Sequence, residues 1–244
     1  DYGGLRAYHE AVRATPTRPW SFARFAAETW EKGLAFEPGS RFAYSNPGYL
    51  LLRLVAEQVG GEGFAALLRR HVAEPLGLAR THVVERPEDL AWLEPASSTL
   101  LSATGAARDV RRFYHPGWVS HGVVASTPSE LARFLRAVFD GTLLCADSVA
   151  QMTQTVPVPH APPEWREPAY GLGLMGDRRS RWGPVWGHGG GGPGTVTAAF
   201  HAPELAGGRG VTACAMCAIE EDHLAERLVF AAFDRLQGGR PRRQ

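Results

Sequence analysis

Apolar positions recur with helical spacing through the first half of the chain and with strand-like character in its last third. Phe22, Phe25, Ala26 and Trp30 follow i, i+3, i+4, i+8 and predict an amphipathic helix, with Ser21 as N-cap and Gly33 as stop. A loop at residues 36–40 precedes a second helix, whose Leu50, Leu51, Leu54 and Val55 form one apolar face ended by Gly60-Gly61. Phe64, Leu67, Leu68 and Val72 repeat the pattern, and Glu74-Pro75-Leu76-Gly77-Leu78 closes that unit. Residues 85–120 lack strong periodicity and hold several Pro, Ser and Thr, which predicts irregular covering structure. Thr127-Pro128-Ser129-Glu130 is a helix start, with Thr as N-cap, Pro at the first position and Glu closing a capping box. Leu131, Phe134, Leu135 and Val138 line the buried face of that helix up to Gly141.

Strand patterns follow at residues 169–176, 185–189, 195–201 and 211–219, several of them separated by tight turns containing Gly or Pro. Such turns suit antiparallel neighbours. A final amphipathic helix is expected at residues 222–236, with Leu224, Leu228, Ala231 and Ala232 on one face and Gly238-Gly239 at its end. The expected class is therefore α+β, an antiparallel sheet flanked by helices. Residues 1–120 form a mainly helical domain and residues 121–244 a sheet-and-helix portion. There is no internal repeat.

Composition narrows the function classes. The 244 residues are 44% hydrophobic and 21% charged, as in an ordinary globular protein. Net charge is +1, and of the 26 basic residues Lys32 is the single lysine, the other 25 being scattered arginines. That spread argues against a nucleic-acid partner. The one local cluster, at 240–243, reads as a solvated tail. No apolar run approaches membrane-spanning length. Three cysteines give no disulfide framework. Cys214 and Cys217 have Cys-x-x-Cys spacing but stand in a strand pattern, which points them to opposite faces and favours buried structural thiols over metal or redox chemistry. The chain begins at Asp1 and not at Met, so localisation and oligomeric state stay open.

Two short motifs carry chemistry. Tyr44-Ser45-Asn46 lies in a loop after Pro38-Gly39 and before Pro47-Gly48-Tyr49 and an apolar helix. A serine nucleophile needs a base and a proton donor, and a tyrosine serves as both only when nearby positive charge stabilises its phenolate. An amide two residues on can bond a substrate amide or a catalytic ammonium. Gly187-His188-Gly189-Gly190-Gly191-Gly192 is the second motif. A phosphate loop is disfavoured, because no Lys-Ser/Thr follows and strand pattern flanks both sides. A strand edge where glycine admits a substrate backbone fits better. The alternative for His188 is a satisfied structural histidine.

In this order and context the motifs resemble the serine β-lactamase and penicillin-binding-protein superfamily, in particular its class C-like branch of D-aminopeptidases, D-alanyl-D-alanine carboxypeptidases and related esterases. Gly122 to Phe134 and Tyr170-Gly171-Leu172-Gly173 look like further stretches of that family, so the resemblance runs from about Phe36 to Leu236. It implies a β-lactamase/transpeptidase-like fold and acyl transfer through an acyl-serine, on a D-amino-acid peptide, lactam or ester. Tyr44 would be general base and acid, with His188, in place of the usual lysine, as its electrostatic partner. Asn46 would anchor substrate together with Gly189, Gly190 and Gly191, and Gly191 would lend a backbone N–H to the oxyanion hole. Tyr44 and His188 would face one cleft. No metal or organic cofactor is implied, and the partner would be a small-molecule or peptide substrate.

One family element is missing from the sequence: Ser-x-x-Lys. Three residues before Lys32 stands Thr29, in what reads as a helix end. The opening Asp1-Tyr2-Gly3-Gly4-Leu5 looks like the family's segment just after the nucleophile helix. The expectation is that this helix and the first strands lie upstream, and that the chain as written is inactive. The alternative is a pseudoenzyme, a binding module that has lost its serine.

Overall fold

The computed structural model describes residues 1–159 and 165–238; the tail cluster at 240–243, Gly239 and the side chain of Lys32 lie outside the described residues. The chain divides into two units, Asp1–Ser126 and Thr127–Gln244.

Short helices make up most of the first unit: α1 (Arg6–Ala14), α2 (Phe22–Thr29), α3 (Asn46–Gly60) and α4 (Phe64–Leu68), the last running into a π-helical turn at Arg69–Ala73. Ser21 caps α2 as expected, its Oγ accepting from Arg24 N at 3.3 Å, and Gly33 breaks the chain at φ 72° after a 3₁₀ turn. Two antiparallel pairs complete the unit: β1 (His82–Val84) with β4 (Val123–Ala125), and β2 (Ser97–Ser98) with β3 (Arg108–Asp109), which leads into α5 (Val110–Phe113).

Residues 85–120 form no long element, but they are not a cover. Leu90, Ala96, Leu101, Val110, Tyr114 and Trp118 from this stretch pack in the same buried cluster as Tyr2, Trp20 and Phe25. Polar tips fix the segment: Trp118 Nε1 donates to Pro16 O at 2.9 Å, and Tyr8 Oη donates to Trp118 O at 2.9 Å. Large aromatic rings fill a core from irregular backbone as long as their few polar atoms find partners. No periodicity advertises that arrangement.

Helix α3 corrects a second expectation. Its boundaries and its Gly61 stop (φ 70°, left-handed) agree with the pattern. Of its expected apolar face only Leu50 is buried, while Leu51, Leu54 and Val55 are exposed, and so are Leu52 (62%) and Val59 (83%) beside them. The half-buried side carries Arg53 and Glu57, paired at 3.0 Å, with Glu57 Oε1 also accepting from Phe64 N at 3.0 Å. Residues 51, 52, 55 and 59 fall within about 100° of arc on a helix of 3.6 residues per turn. They form a continuous exposed apolar stripe.

The second unit is a sheet with helices. Thr127 caps α6 (Pro128–Phe139), its hydroxyl accepting from Glu130 N at 3.2 Å. Leu135 and Val138 are buried and Leu131 and Phe134 half-buried, as the pattern requires; α7 (Ala146–Met152) follows. Six strands then run in the order β10-β9-β8-β7-β6-β5, every neighbouring pair antiparallel. They are β5 (Val156–Pro157), β6 (Pro168–Tyr170), β7 (Met175–Ser180), β8 (Gly183–Gly192), β9 (Thr195–Ala202) and β10 (Val211–Cys217). The stretch 169–176 is thus not one strand. Gly171 and Gly173 (φ 69°) turn the chain, with Gly171 N donating to Leu174 O at 2.8 Å, and split it into β6 and β7.

Alternation along β9 assigns the two faces of the sheet. Ala198, Phe200 and Ala202 point into the core shared with the C-terminal helix α9 (Leu224–Gly238), and Ala199 packs with Leu135 of α6. A kinked turn, α8 (Leu205–Gly208), lies between β9 and β10. On α9 the buried residues are Ala225, Val229, Phe230 and Phe233, whereas Leu228 is half exposed. The expected face is therefore rotated by about one residue, because the two phenylalanines and not the leucines meet Phe200 and Trp182. Asp234 anchors the helix, accepting from Arg181 at 2.8 and 2.5 Å and from Trp182 Nε1 at 3.0 Å. Cys214 and Cys217 are free, and they pack in different clusters on opposite faces. Both are half-buried, since β10 is the edge strand. Burial raises the Cys214 thiol pKa to about 11.

Candidate functional site

The candidate residues fall in two groups, one in each unit. In the first, the start of α3 positions Tyr44, Ser45 and Asn46. Pro47 can stand in the first turn because no helical bond is asked of its nitrogen there. Ser45 is the N-cap, its Oγ accepting from Gly48 N at 3.0 Å. That bond engages the Ser45 hydroxyl in capping the helix. Thr29 is likewise occupied, its hydroxyl donating to Phe25 O at 2.6 Å.

Asn46 opens the helix. Its backbone N–H and its Nδ2 both donate to the Asp1 carboxylate, at 3.2 and 3.3 Å. A carboxylate at a helix N-terminus is favoured by the orphan N–H groups and the helix dipole. Because Nδ2 is committed to a carboxylate, which only accepts, the Asn46 Oδ1 is oriented as an acceptor. The role of Asp1 was not legible beforehand; its place in the opening Asp-Tyr pair was the only signal.

Tyr44 stands just before this cap, 41% exposed, its ring 5.6 Å from that of Tyr49. Its phenol pKa is raised, by burial first, then by Tyr49 and Tyr2. Left in this setting, Tyr44 is a neutral phenol at pH 7. A base would need the opposite shift, supplied by a nearby cation. Tyr49 continues towards His121, with ring centres 6.2 Å apart. His121 is held below the ordinary histidine pKa by burial and by Arg53.

The second group lies on β8. The β7 ladder ends at Met175↔Gly187, whereas pairing with β9 continues to Gly192↔Thr195. From His188 to Gly192 the strand is therefore laddered along one edge only among the described residues. Antiparallel strands direct alternate N–H and C=O groups to opposite edges. The glycine run thus offers unladdered backbone groups on its open side. Pro193-Gly194 (φ 76°) makes the tight turn into β9, and Gly194 N donates to Glu220 at 2.9 Å. A phosphate-cradling loop has no place in this hairpin.

The glycines differ in what they make room for. A Cβ on Gly187 would overlap the Ala199 carbonyl and lie 2.7 Å from Phe200 Cα, so that glycine is required by packing. A Cβ on Gly189 would overlap the Glu226 carboxylate of α9. The Gly189 position therefore faces α9, and by alternation His188 and Gly190 face the other side. At Gly190 an added Cβ meets nothing within 4 Å, and at Gly191 its nearest neighbour is Val196 Cγ1 at an ordinary 3.8 Å.

His188 is bonded through both ring nitrogens. Nδ1 lies against the Gly189 carbonyl, and Nε2 is 3.0 Å from the Tyr170 hydroxyl, with the two rings edge-to-face at 90°. Burial lowers its pKa, with smaller upward contributions from the Gly189 carbonyl and Glu226, so the imidazole is neutral at pH 7. Among the described residues no cluster of His, Cys, Asp or Glu could hold a metal, and no helix is long and apolar enough to cross a membrane.

The chain matches the family model described as beta-lactamase over residues 3–225. Penicillin-binding protein 4* of Bacillus subtilis is 26% identical over 171 residues, 66% of this chain and 37% of that protein. A putative D-alanyl-D-alanine carboxypeptidase of Escherichia coli K12 is 28% identical over 127 residues, 44% of this chain and 29% of that one. The chain thus spans about a third of the length of these curated relatives. Among solved structures, a D-stereospecific amidohydrolase from Streptomyces sp. superposes with a TM-score of 0.74 at 28% identity, over 90% of this chain and 64% of its own. The D-amino acid amidase of Ochrobactrum anthropi SV3 superposes with a TM-score of 0.72 at 21% identity, over 94% and 67%. The second likeness speaks for the fold alone. With helices beside an antiparallel sheet and a family match along nearly its whole length, the chain belongs to the beta-lactamase family and has its β-lactamase/transpeptidase-like fold.

Proposed function

We propose that this chain carries the tyrosine and histidine portions of a serine hydrolase site, and that acyl transfer runs through a serine supplied by a Ser-x-x-Lys segment outside these 244 residues. The observation that carries the reading is the state of Tyr44. It is held at a capped helix start, partly exposed, with its phenol pKa raised, by burial first. A phenol serves as a general base when a nearby cation stabilises its phenolate. A lysine one helical turn from the nucleophile would be that cation, and the Asn46 Oδ1 would accept from its ammonium or from a substrate N–H.

In this reading Tyr44 takes the serine proton and returns it to the leaving group. The serine oxygen attacks the acyl carbon, and an oxyanion develops that preorganised N–H donors stabilise. Gly191 supplies one such donor from the open edge of β8, with Gly189 and Gly190 admitting the substrate backbone beside it. Water then cleaves the acyl-serine with the same tyrosine as base. The substrate class is an acyl donor with a D-configured amino acid, as a peptide, amide, lactam or ester. The D-stereospecific amidohydrolase relative supports that choice. The exposed stripe of Leu52, Val55 and Val59 supports a covering segment along α3, the helix that Tyr44 precedes.

The test has two parts. The natural coding sequence upstream of Asp1 should contain Ser-x-x-Lys in frame. The extended polypeptide should hydrolyse p-nitrophenyl acetate or a D-aminoacyl p-nitroanilide, and Tyr44→Phe should cost about 10²–10⁴-fold in rate, the usual worth of a general base. The 244-residue chain alone should do neither and should take no label from a fluorescent penicillin. An upstream sequence without the motif, and an inactive extended protein, would favour the pseudoenzyme.

A further inference from the structure

The hydrogen bonding of His188 bears on how that histidine acts. A carbonyl oxygen only accepts, so the contact of Nδ1 with Gly189 O requires the proton on Nδ1. Neutral imidazole carries one N–H, which leaves Nε2 as a lone pair. The Tyr170 hydroxyl, 3.0 Å away, is then the donor to Nε2. Tyr170 reaches His188 from two strands away. β7, which lies between them, stops pairing with β8 at Gly187, one residue short of the histidine. The edge-to-face rings hold the contact laterally.

From this geometry we propose that Tyr170 is a positioning residue for His188: the Gly189 carbonyl sets the Nδ1–H tautomer, and the Tyr170 hydroxyl, donating to Nε2, fixes the orientation of the ring. In the neutral state Tyr170 gives its proton to the bond with His188. When the imidazole is protonated, Nε2–H donates to Tyr170 Oη, the bond reverses, and the hydroxyl hydrogen is released to donate elsewhere. One proton is gained at Nε2 and no covalent bond to carbon changes. Groups acting on the ring include Tyr170 from β6, the Gly189 carbonyl on its own strand and Glu226 from α9. The catalytic consequence rests on the acyl-transfer reading; the tautomer does not.

The measurement is a long-range ¹H–¹⁵N imidazole spectrum of the full-length protein at pH 8, wild type and Tyr170→Phe, paired with ester hydrolysis. Wild type should show His188 protonated on Nδ1, with its Nε2 signal displaced from the free lone-pair position. In Tyr170→Phe the tautomer should persist and Nε2 should move to the free position. On the ester, kcat should fall roughly ten- to a hundredfold, the range for a lost orienting partner, with KM within about twofold. His188→Gln should lose a similar factor, and the double variant should lose no more than either. An Nε2–H tautomer in wild type, which needs no variant to fold, overturns the assignment. So does an unmoved Nε2 signal in Tyr170→Phe. An active enzyme whose kcat ignores the substitution overturns the positioning role. A wild-type protein with the stated tautomer but no activity on ester or D-amide removes the acyl-transfer reading and retains the Tyr170–His188 assignment.

Discussion

Gly187 and Gly190 lie three residues apart on β8, and alanine at the two positions should have opposite effects on stability. At Gly187 a new methyl overlaps the Ala199 carbonyl on the neighbouring strand and sits 2.7 Å from the Cα of Phe200, whose side chain is fully buried. Ordinary van der Waals contact begins near 3.4 Å, so β9 must retreat or β8 must bulge. Either response weakens two or so ladder hydrogen bonds, at about 0.5–1.5 kcal/mol each. It also disturbs packing that typically costs about 1–3 kcal/mol when overfilled. The expected loss for Gly187→Ala is about 3 kcal/mol. At Gly190 nothing lies within 4 Å, and its φ is outside the positive range. Gly190→Ala should therefore stabilise by about 0.4–1 kcal/mol, by restricting the unfolded chain. Urea unfolding followed by far-ultraviolet circular dichroism reads both. A Gly187→Ala protein within 0.5 kcal/mol of wild type, or a Gly190→Ala protein destabilised by more than 1 kcal/mol, would refute this account of the strand.

Two further outcomes follow from titrating groups. Burial depresses the folded-state pKa of His121, His188 and His201 below that of the unfolded chain. The stability they contribute is fully present above about pH 6.5, the unfolded value, and is lost as pH falls through the folded values. Unfolding free energy should thus be flat from pH 7 to 8 and begin to fall below 6.5, before the carboxylates titrate; a curve flat down to pH 5 would contradict it. Cys145 is exposed, with its thiol pKa lowered first by the Ser148 hydroxyl, whereas Cys214 is raised to about 11. Ellman's reagent at pH 7.5 should modify Cys145 first and Cys214 much more slowly, as peptide mapping would show.

Elements held by local chemistry were legible in the sequence. Thr127-Pro128 with Glu130 specifies a helix start whatever surrounds it, and Pro193-Gly194 between two strand patterns suits a tight turn. The antiparallel order followed from such turns. Elements defined by their partners were not legible. The pattern on α3 says which face favours burial, and the structure leaves most of that face exposed. On α9, Phe230 and Phe233 set the buried face because rings on the sheet receive them, which no single-helix pattern encodes. The core role of Leu101 and Trp118 has no period at all. For the candidate site, the motifs point to Tyr44, Asn46 and His188 as proposals. The bonds that orient two of them, Asp1 to Asn46 and Tyr170 to His188, join residues 45 and 18 positions apart and became visible only in three dimensions.

The central proposal is that Tyr44 serves a serine carried outside these residues, and one measurement addresses it directly. The extended polypeptide is treated with a fluorophosphonate or a D-aminoacyl ester, quenched and mapped by tandem mass spectrometry, with Tyr44→Phe alongside. The account predicts a single adduct on the serine of an upstream Ser-x-x-Lys, forming at least about a hundredfold more slowly in Tyr44→Phe. An adduct on Ser45, Thr29 or any other residue of the 244, or equal labelling rates with and without the Tyr44 hydroxyl, would contradict it.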